Sequence, residues 1–305
     1  MKHVVECQQF SPEWLLDEFF PMVRGIKSVP VTSLLSSLEG KIVALVFYVP
    51  SIRTRLSFEL AARKLGCAVV ETEDAGKFSS IMPNENLEDT IRFLVGHKVD
   101  LIVLRYDHEG GAQRAVEISK IPIINAGETG GQHPSQALVD LFTLYDKLGR
   151  LDNIHVAIVG GLSKGRTARS LAYLLAKFKG VKLTFVSPPN GKMSDEVLDY
   201  LSRHGVSYCE TNNLRAVAPE ADAIYMIQTG RAFDSHEYHQ NRGCYGIDPA
   251  MVETTKEGAI ILHPFPRDAS RELPFEIDSS PKAAYFEQSD NALYFRMALL
   301  HLLML

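Results

Sequence analysis

The densest group of side chains able to bind an anion lies in residues 50–55, which read PSIRTR. Ser51 and Thr54 supply hydroxyl donors, and Arg53 supplies a planar guanidinium that matches phosphate oxygens. An apolar run ends just before this segment and a helical pattern follows, so we expect a helix N-terminus here. The unpaired N–H groups and partial positive charge of such an end bind phosphate. The alternative is that Ser51 only caps the helix and that the arginines are solvated.

Two further polar segments are predicted to lie at the ends of strands. Arg105 directly follows the apolar run 101–104, and the loop 125–132 precedes His133. Pro134 then occupies the first turn of a predicted helix, a position that proline favours. Gln136 lies about one turn beyond His133, so the two form a polar pair. A lone histidine at such a place is more often a cap or a packed surface residue.

The elements that must position these groups follow from short apolar runs that alternate with amphipathic segments. Strands are predicted at residues 41–47, 67–70, 101–104, 121–124, 155–159, 183–186, 223–226 and 259–262, and helices at 53–65, 134–148 and 291–305. Strands separated by helices imply crossover connections, which predict an α/β fold with two doubly wound, mainly parallel sheets. Such sheets bind ligands at the carboxyl ends of their strands.

Composition excludes several classes of protein. Lys and Arg number 32 against 37 Asp and Glu, a net charge of -5 that disfavours nucleic acid as a partner. The 4 cysteines are scattered, which predicts neither a zinc site nor a disulfide framework. No apolar run approaches the roughly 20 residues that cross a bilayer, and no secretory signal is evident. We therefore expect a cytoplasmic protein without membrane partners.

A glycine-rich turn also invites a dinucleotide-binding interpretation. Gly160, Gly161 and Gly165 follow a predicted strand. Their spacing differs from Gly-x-Gly-x-x-Gly, and the next strand ends in Ser187 rather than in an acidic ribose ligand. A dehydrogenase is therefore disfavoured.

Four segments resemble, in order, the signatures of the aspartate and ornithine carbamoyltransferases. Residues 47–59 are similar to the carbamoyl-phosphate signature, whose core is Ser-Thr-Arg-Thr-Arg, with Ile52 in place of its threonine. Residues 125–143 contain a second signature, NAG followed by QHPSQAL and DLFT. Residues 149–153 and 263–267 resemble two more. Of the two enzymes, the chain resembles aspartate carbamoyltransferase more.

The resemblance implies transfer of the carbamoyl group of carbamoyl phosphate to the amine of an amino acid, giving an N-carbamoyl amino acid and phosphate. The residues that it assigns as catalytic are Arg53, Thr54, Arg105 and His133. The carbamoyl-phosphate set that it implies is Ser51, Ile52, Arg53, Thr54, Arg105, His133, Gln136, Pro264 and Phe265. The amino-acid set is Arg166, Gln228, Arg231 and Ser79. No metal or cofactor is expected, because the departing phosphate can accept the amine proton.

The resemblance also implies how the chain is organised. Residues 1–132 with 288–305 are expected to form the carbamoyl-phosphate domain, and residues 133–287 the amino-acid domain. The C-terminal helix would thus return to the first domain. A homotrimer is expected, with loop residues around Ser79 shared between subunits, whereas nothing indicates whether a regulatory chain binds.

The residues for the second substrate depart from the aspartate carbamoyltransferase pattern. Pro83 stands where that enzyme has a lysine, and residues 227–231 lack its arginine in register. A desolvated carboxylate is costly unless it is paired. We therefore predict an acceptor with an α-carboxylate for Arg166 but no side-chain carboxylate, such as a small diamino acid. The alternatives are an aspartate carbamoyltransferase of pyrimidine synthesis, with Arg231 or Lys164 restoring the contact, and a catalytically idle homologue.

Overall fold

The computed structural model describes residues 1–73, 86–229, 244–270 and 272–305 as two compact units. Unit 1 comprises Met1–Gln136 and Asp290–Leu305, and unit 2 comprises Ala137–Ser289. Within the described ranges, no helix is long and apolar enough to cross a membrane.

Unit 1 is built on a four-stranded sheet in which every pair of neighbours is parallel. Its strands are β1 (Ile42–Phe47), β2 (Ala68–Glu73), β3 (Leu101–Arg105) and β4 (Ile123–Asn125), in the spatial order β2-β1-β3-β4. All of β3 and nearly all of β1 are buried, as expected for central strands covered on both faces. Phe47 lies opposite Arg105 in the register. The ends of β1 and β3 therefore deliver the two predicted anion-binding segments to the same edge of the sheet.

The described α-helices of unit 1 are α1 (Phe20–Ser28), α2 (Ile52–Lys64), α3 (Leu87–Gly96) and α4 (Gly111–Ile118). The end of α2 and the start of α3 each carry a recognisable signal. Gly66 follows α2 with φ +89°, and a Cβ there would lie 2.4 Å from the Leu35 carbonyl oxygen, so only glycine fits. The Asn86 side chain caps α3 by accepting from the Asp89 N–H at 2.7 Å.

Unit 2 is built on a five-stranded parallel sheet. Its strands are β5 (His155–Val159), β6 (Lys182–Val186), β7 (Ser207–Thr211), β8 (Ala223–Met226) and β9 (Ile260–Leu262), in the order β7-β6-β5-β8-β9. The helices are α5 (Pro134–Leu148), whose first three residues belong to unit 1, α6 (Arg166–Leu175), α7 (Asp195–Arg203), α8 (Leu214–Val217) and α9 (Pro249–Thr254). The sequence gives no apolar signal for β7, because this edge strand leaves Ser207, Cys209 and Glu210 exposed.

The terminal helix α10 (Tyr285–Met304) begins six residues before the predicted start at 291. Its residues from Asp290 onward belong to unit 1. There Phe295 packs edge-on against Phe19 with ring centroids 5.0 Å apart, and the Arg296 guanidinium lies 5.0 Å from the centre of the Phe58 ring. The predicted α/β fold with two parallel-sheet domains and a returning C-terminal helix is confirmed.

Candidate active site

The predicted phosphate-binding turn lies at the N-terminus of α2, directly after β1. Ser51 is the N-cap residue in an extended conformation, but its side chain makes no capping hydrogen bond. The Ser51 hydroxyl therefore does not cap the helix, and its contribution to phosphate binding stays a prediction. Ile52 opens the helix with 70% of its surface exposed, whereas Thr54 is 7% exposed. The first turn thus presents N–H groups with the dipole of a 13-residue helix behind them.

The two arginines of this turn have different environments. Arg55 lies 2.6 Å from the carboxylate of Glu71 and 4.0 Å from that of Glu59, so its charge is already balanced. Arg53 is exposed and has no acidic partner among the described residues. Partial burial lowers the pKa of its guanidinium. A cation that is partly desolvated and has no counter-charge from the described residues favours an anionic ligand, which distinguishes Arg53 from Arg55.

Arg105 and His133 converge on one glycine. They are 5% and 4% exposed, and Arg105 Nη1 donates to the Ala126 carbonyl oxygen at 3.0 Å. A Cβ at Gly127 would lie 2.8 Å from Arg105 Nη1 and 2.9 Å from His133 Cδ2. Gly127 has φ +108°, which side-chain-bearing residues rarely adopt. The absence of a side chain at Gly127 therefore permits the guanidinium and the imidazole to lie side by side.

The end of β4 holds this loop in place through Asn125. The Asn125 Oδ1 atom accepts from the Gly127 N–H at 2.9 Å, and its Nδ2 donates to the Val5 carbonyl oxygen at 2.9 Å. Ser135 Oγ lies 3.3 Å from both the Asn125 carbonyl oxygen and His133 Nδ1. The Gln136 N–H donates to the His133 carbonyl oxygen at 3.0 Å, in the first turn of α5. His133 and Gln136 are thus fixed to the same strand end as Gly127.

Sequence reasoning gave Glu128 no role, although the structure makes it a support of this loop. Its carboxylate is 5% exposed and accepts from the Gly110 N–H at 3.0 Å and the Ala112 N–H at 2.5 Å, at the start of α4. Burial raises the pKa of Glu128, and the nearby Glu109 acts in the same direction. The sequence shows an acidic residue directly after Gly127, but it does not show that this residue binds backbone N–H groups at the start of α4.

In unit 2, the predicted amino-acid residues lie at the carboxyl ends of β5 and β8. Arg166 is half-buried and is the first residue of α6, after β5. Gln228 is exposed and follows β8. The Gly161 N–H lies 3.3 Å from the Gln228 carbonyl oxygen, so the loop that leads to Arg166 contacts the segment after β8. The sheet register thus brings the loops of Arg166 and Gln228 together.

Pro264 and Phe265 lie in the next loop, after β9. Gln228 Nε2 donates to the Pro266 carbonyl oxygen at 3.1 Å, which joins this loop to the segment after β8. Phe265 has φ +50°, and its N–H donates to His263 Nδ1 at 2.9 Å. Four of the predicted contributors, Arg166, Gln228, Pro264 and Phe265, thus lie in adjoining loops of unit 2.

Two predicted amino-acid ligands, Ser79 and Arg231, lie outside the described residues, as does Pro83. In the part of the chain that is described, no cluster of three His, Cys, Asp or Glu side chains could hold a metal ion.

Comparison with known proteins identifies the family. The model of the "Aspartate/ornithine carbamoyltransferase, carbamoyl-P binding domain" matches residues 2–146, and that of the "Aspartate/ornithine carbamoyltransferase, Asp/Orn binding domain" matches residues 152–303. Aspartate carbamoyltransferase 3, chloroplastic, from Pisum sativum is 46% identical over 305 residues, covering 99% of this chain and 77% of that protein. The aspartate carbamoyltransferase catalytic subunit of Methanocaldococcus jannaschii is 41% identical, covering 98% and 97%.

Solved structures agree with this assignment. The catalytic subunit of M. jannaschii aspartate transcarbamoylase superimposes with a TM-score of 0.90 at 39% identity, covering 100% of this chain and 98% of that chain. Aspartate transcarbamoylase from Trypanosoma cruzi, in complex with carbamoyl phosphate and aspartate, gives a TM-score of 0.90 at 32% identity, covering 98% and 94%. The chain therefore belongs to the aspartate/ornithine carbamoyltransferase family and is a carbamoyltransferase.

Proposed function

We propose that this enzyme transfers the carbamoyl group of carbamoyl phosphate to the α-amine of aspartate, giving N-carbamoyl-aspartate and phosphate. The observation that carries the donor half is the approach of Arg105 and His133 at Gly127, at the sheet edge where the turn of Arg53 and Thr54 also lies. Aspartate as the acceptor is supported by relatives named aspartate carbamoyltransferases at 41% to 46% identity over nearly the whole chain. On this proposal, unit 1 is the carbamoyl-phosphate domain and unit 2 the amino-acid domain.

The donor would be bound mainly by unit 1. The phosphate would accept hydrogen bonds from Ser51, Arg53, Thr54 and Arg105, and from the backbone N–H of Ile52 in the first turn of α2. The carbamoyl oxygen would accept from Thr54, Arg105 and His133. Gln136 and the carbonyl oxygens of Pro264 and Phe265 would orient the carbamoyl amide group.

Each residue type suits the reaction. A neutral amine attacks the carbonyl carbon, and negative charge grows on the carbonyl oxygen as the new C–N bond forms. Donors already in place beside that oxygen, such as Arg105 and His133, stabilise the charge without reorganising. The C–O bond to phosphate then breaks, phosphate departs with the electron pair, and it takes up the amine proton. Holding both substrates in contact supplies much of the remaining rate enhancement.

Acceptor recognition would involve Arg166 pairing with the α-carboxylate, with Gln228, Arg231 and Ser79 around the remainder of the substrate. The prediction of an acceptor without a side-chain carboxylate finds no support among the named relatives. The substitution that motivated it, Pro83, lies outside the described residues. Lys164, exposed in the loop before Arg166, is one cation available to a second carboxylate.

Competition among amines tests the proposal. Radiolabelled carbamoyl phosphate would be incubated with aspartate, 2,3-diaminopropionate, ornithine and alanine in turn, and initial rates would be followed over a range of amine concentrations. We expect saturable formation of N-carbamoyl-aspartate with the highest kcat/KM. Preferential carbamoylation of 2,3-diaminopropionate would show that a diamino acid, and not aspartate, is the acceptor. Absence of a carbamoylated product with every amine would favour a catalytically idle homologue.

Packing against another chain, which the predicted homotrimer requires, is supported by an apolar stripe on unit 1. Ile52, Leu56 and Leu60 recur every four residues along α2 and are 70%, 41% and 51% exposed. Val70, on the edge strand β2, is 46% exposed. Exposed apolar groups of this kind are typical of surfaces that pack against another chain. Sedimentation equilibrium would give the mass of the assembly, and a monomer mass at micromolar concentration would exclude the trimer.

The cellular location stays a prediction. The cytoplasmic assignment comes from the sequence, and the Pisum sativum relative bears the word chloroplastic in its name.

A further inference from the structure

We propose that His263 and Glu272 form a buried positioning pair that locks the loop of Pro264 and Phe265 to the segment after β8, and so sets both the affinity for the acceptor and the orientation of the carbamoyl amide group. This inference rests on the proposed function for its kinetic consequence. Both side chains are 1% exposed, and neither belongs to the predicted substrate-binding set.

Glu272 joins two loops through one carboxylate. Its Oε1 atom accepts from the Thr229 N–H at 2.6 Å and lies 3.2 Å from Thr229 Oγ1. Its Oε2 atom accepts from the Asp268 N–H at 3.2 Å. Thr229 directly follows Gln228, and Asp268 lies in the loop after β9. A buried carboxylate is tolerated when several donors satisfy it, so the donors and the carboxylate hold one another in place.

His263 extends the connection from Glu272 to the backbone of Phe265. His263 Nδ1 accepts from the Phe265 N–H at 2.9 Å, so the ring proton resides on Nε2. That Nε2 atom lies 3.4 Å from Glu272 Oε2. Phe265 has φ +50°, an uncommon conformation for a bulky residue that the bond to His263 helps to select. The pair therefore fixes the conformation of a residue whose carbonyl oxygen is assigned to the carbamoyl amide group.

Burial distinguishes this pair from a catalytic histidine–carboxylate couple. A general base must reach the proton that it removes, whereas His263 uses Nδ1 for Phe265 and directs Nε2 toward Glu272. The backbone N–H of His263 donates to Gln288 Oε1 at 2.8 Å, which anchors the residue further. The pair acts through the loops, and Gln228, whose side chain bonds to the Pro266 carbonyl oxygen, spans the same two loops. Loosening the pair would displace Gln228 and Phe265 together.

The test is Glu272→Gln, which keeps the size and one acceptor oxygen but places an NH2 group toward the Asp268 N–H. We expect the KM for aspartate to rise on the order of tenfold, a smaller effect than the roughly 10²-fold loss of rate that a 1 Å misplacement can cause. The dissociation constant for inorganic phosphate, measured by calorimetry, should stay unchanged because its predicted ligands lie in unit 1. Hydrogen exchange should accelerate in peptides covering residues 263–268 and Thr229.

His155→Gln is the matched control for lost stability. His155 is buried at the amino end of the same sheet, where it bonds to Thr184 and is distant in the register from the loops after β8 and β9. This variant should lower stability without raising the KM for aspartate. If Glu272→Gln behaves like His155→Gln, with no change in KM and no local acceleration of exchange, the positioning role is overturned. Absence of aspartate turnover by the wild type would refute the proposed function, whereas the exchange data would still decide whether the pair fixes the loops.

Discussion

Replacing Gly127 by alanine tests whether Arg105 and His133 must lie side by side at this glycine. The added Cβ would lie 2.8 Å from Arg105 Nη1 and 2.9 Å from His133 Cδ2. Atoms of this kind are in optimal contact at about 3.5–4.0 Å, so each side chain must retreat by about 0.6 Å or more. Both side chains are buried, which leaves little room for them to move elsewhere.

Two costs are expected from Gly127→Ala, and they differ in kind. The first is backbone strain at φ +108°, on the order of 1–3 kcal/mol of stability. The second is displacement of the two groups assigned to the carbamoyl oxygen, for which a shift near 1 Å costs about 10²-fold in rate. We therefore expect kcat/KM for carbamoyl phosphate to fall by about 10²-fold, beyond any loss of folded protein.

Gly130→Ala separates these two costs. Gly130 lies in the same loop with φ +84°, but a Cβ there would meet nothing closer than Glu109 at 3.8 Å. This variant should share the strain and keep kcat/KM. Steady-state carbamoylation kinetics and thermal unfolding would be measured for both variants. Equal kcat/KM values for Gly127→Ala and Gly130→Ala would refute the role assigned to the convergence at Gly127.

Three further predictions concern buried polar groups. Burial lowers the pKa of His155, with Lys182 acting in the same direction. As the pH falls, the unfolded chain therefore binds a proton before the folded protein does, and the free energy of unfolding decreases below about pH 6.5. His155→Gln should flatten this part of a plot of urea midpoint against pH. Burial raises the pKa of Glu128, so the folded state retains a proton that the unfolded chain releases. The free energy of unfolding therefore decreases as the pH rises from about 4.5 through the pKa of the folded state. Glu128→Gln should remove this decline from melting temperatures measured by calorimetry. Asp140 accepts from the Tyr225 hydroxyl and the Gln288 amide, each at 2.6 Å, so Asp140→Ala should lower the free energy of unfolding by about 3–5 kcal/mol in urea titrations, and Asp140→Asn by less.

Each of these three predictions has a contradicting outcome. Parallel pH profiles for wild type and His155→Gln below pH 6.5 would show that this histidine is not the source of acid sensitivity. A Glu128→Gln profile that still declines from pH 4.5 would assign the effect to another carboxylate. An Asp140→Ala loss no larger than that of Asp140→Asn would mean that the two donors find other partners.

Patterns local in sequence predicted much of the fold. The strand predicted at 41–47 and the helix predicted at 53–65 follow from an apolar run and helical periodicity, and the structure has them as Ile42–Phe47 and Ile52–Lys64, within one residue at each end. The strand β7 was missed because it is an edge strand with exposed polar side chains, so it lacks the apolar run of a buried strand.

The supports of the site could not be predicted, because they depend on contacts between residues far apart in the chain. Glu128 is visible as an acid in a loop, but its partners are backbone N–H groups 16 and 18 residues away. Glu272 binds Thr229 across 43 residues. The distinction between Arg53 and Arg55 also required the position of Glu71 on a neighbouring strand. Motif spacing identifies the residues that bear the chemistry, whereas only the fold identifies those that hold them.

The most direct test of the account is the affinity for carbamoyl phosphate of two single-arginine variants of α2, measured by titration calorimetry. Arg53→Gln removes the guanidinium that lacks a described acidic partner, and Arg55→Gln removes the one that lies beside Glu71. Losing a charged hydrogen-bonding partner costs about 1.5–3 kcal/mol, so Arg53→Gln should weaken binding roughly 10- to 150-fold. Arg55→Gln should bind carbamoyl phosphate as the wild type does. Wild-type affinity in Arg53→Gln, or an equal loss in both variants, would contradict the assignment of the α2 N-terminus as the phosphate site.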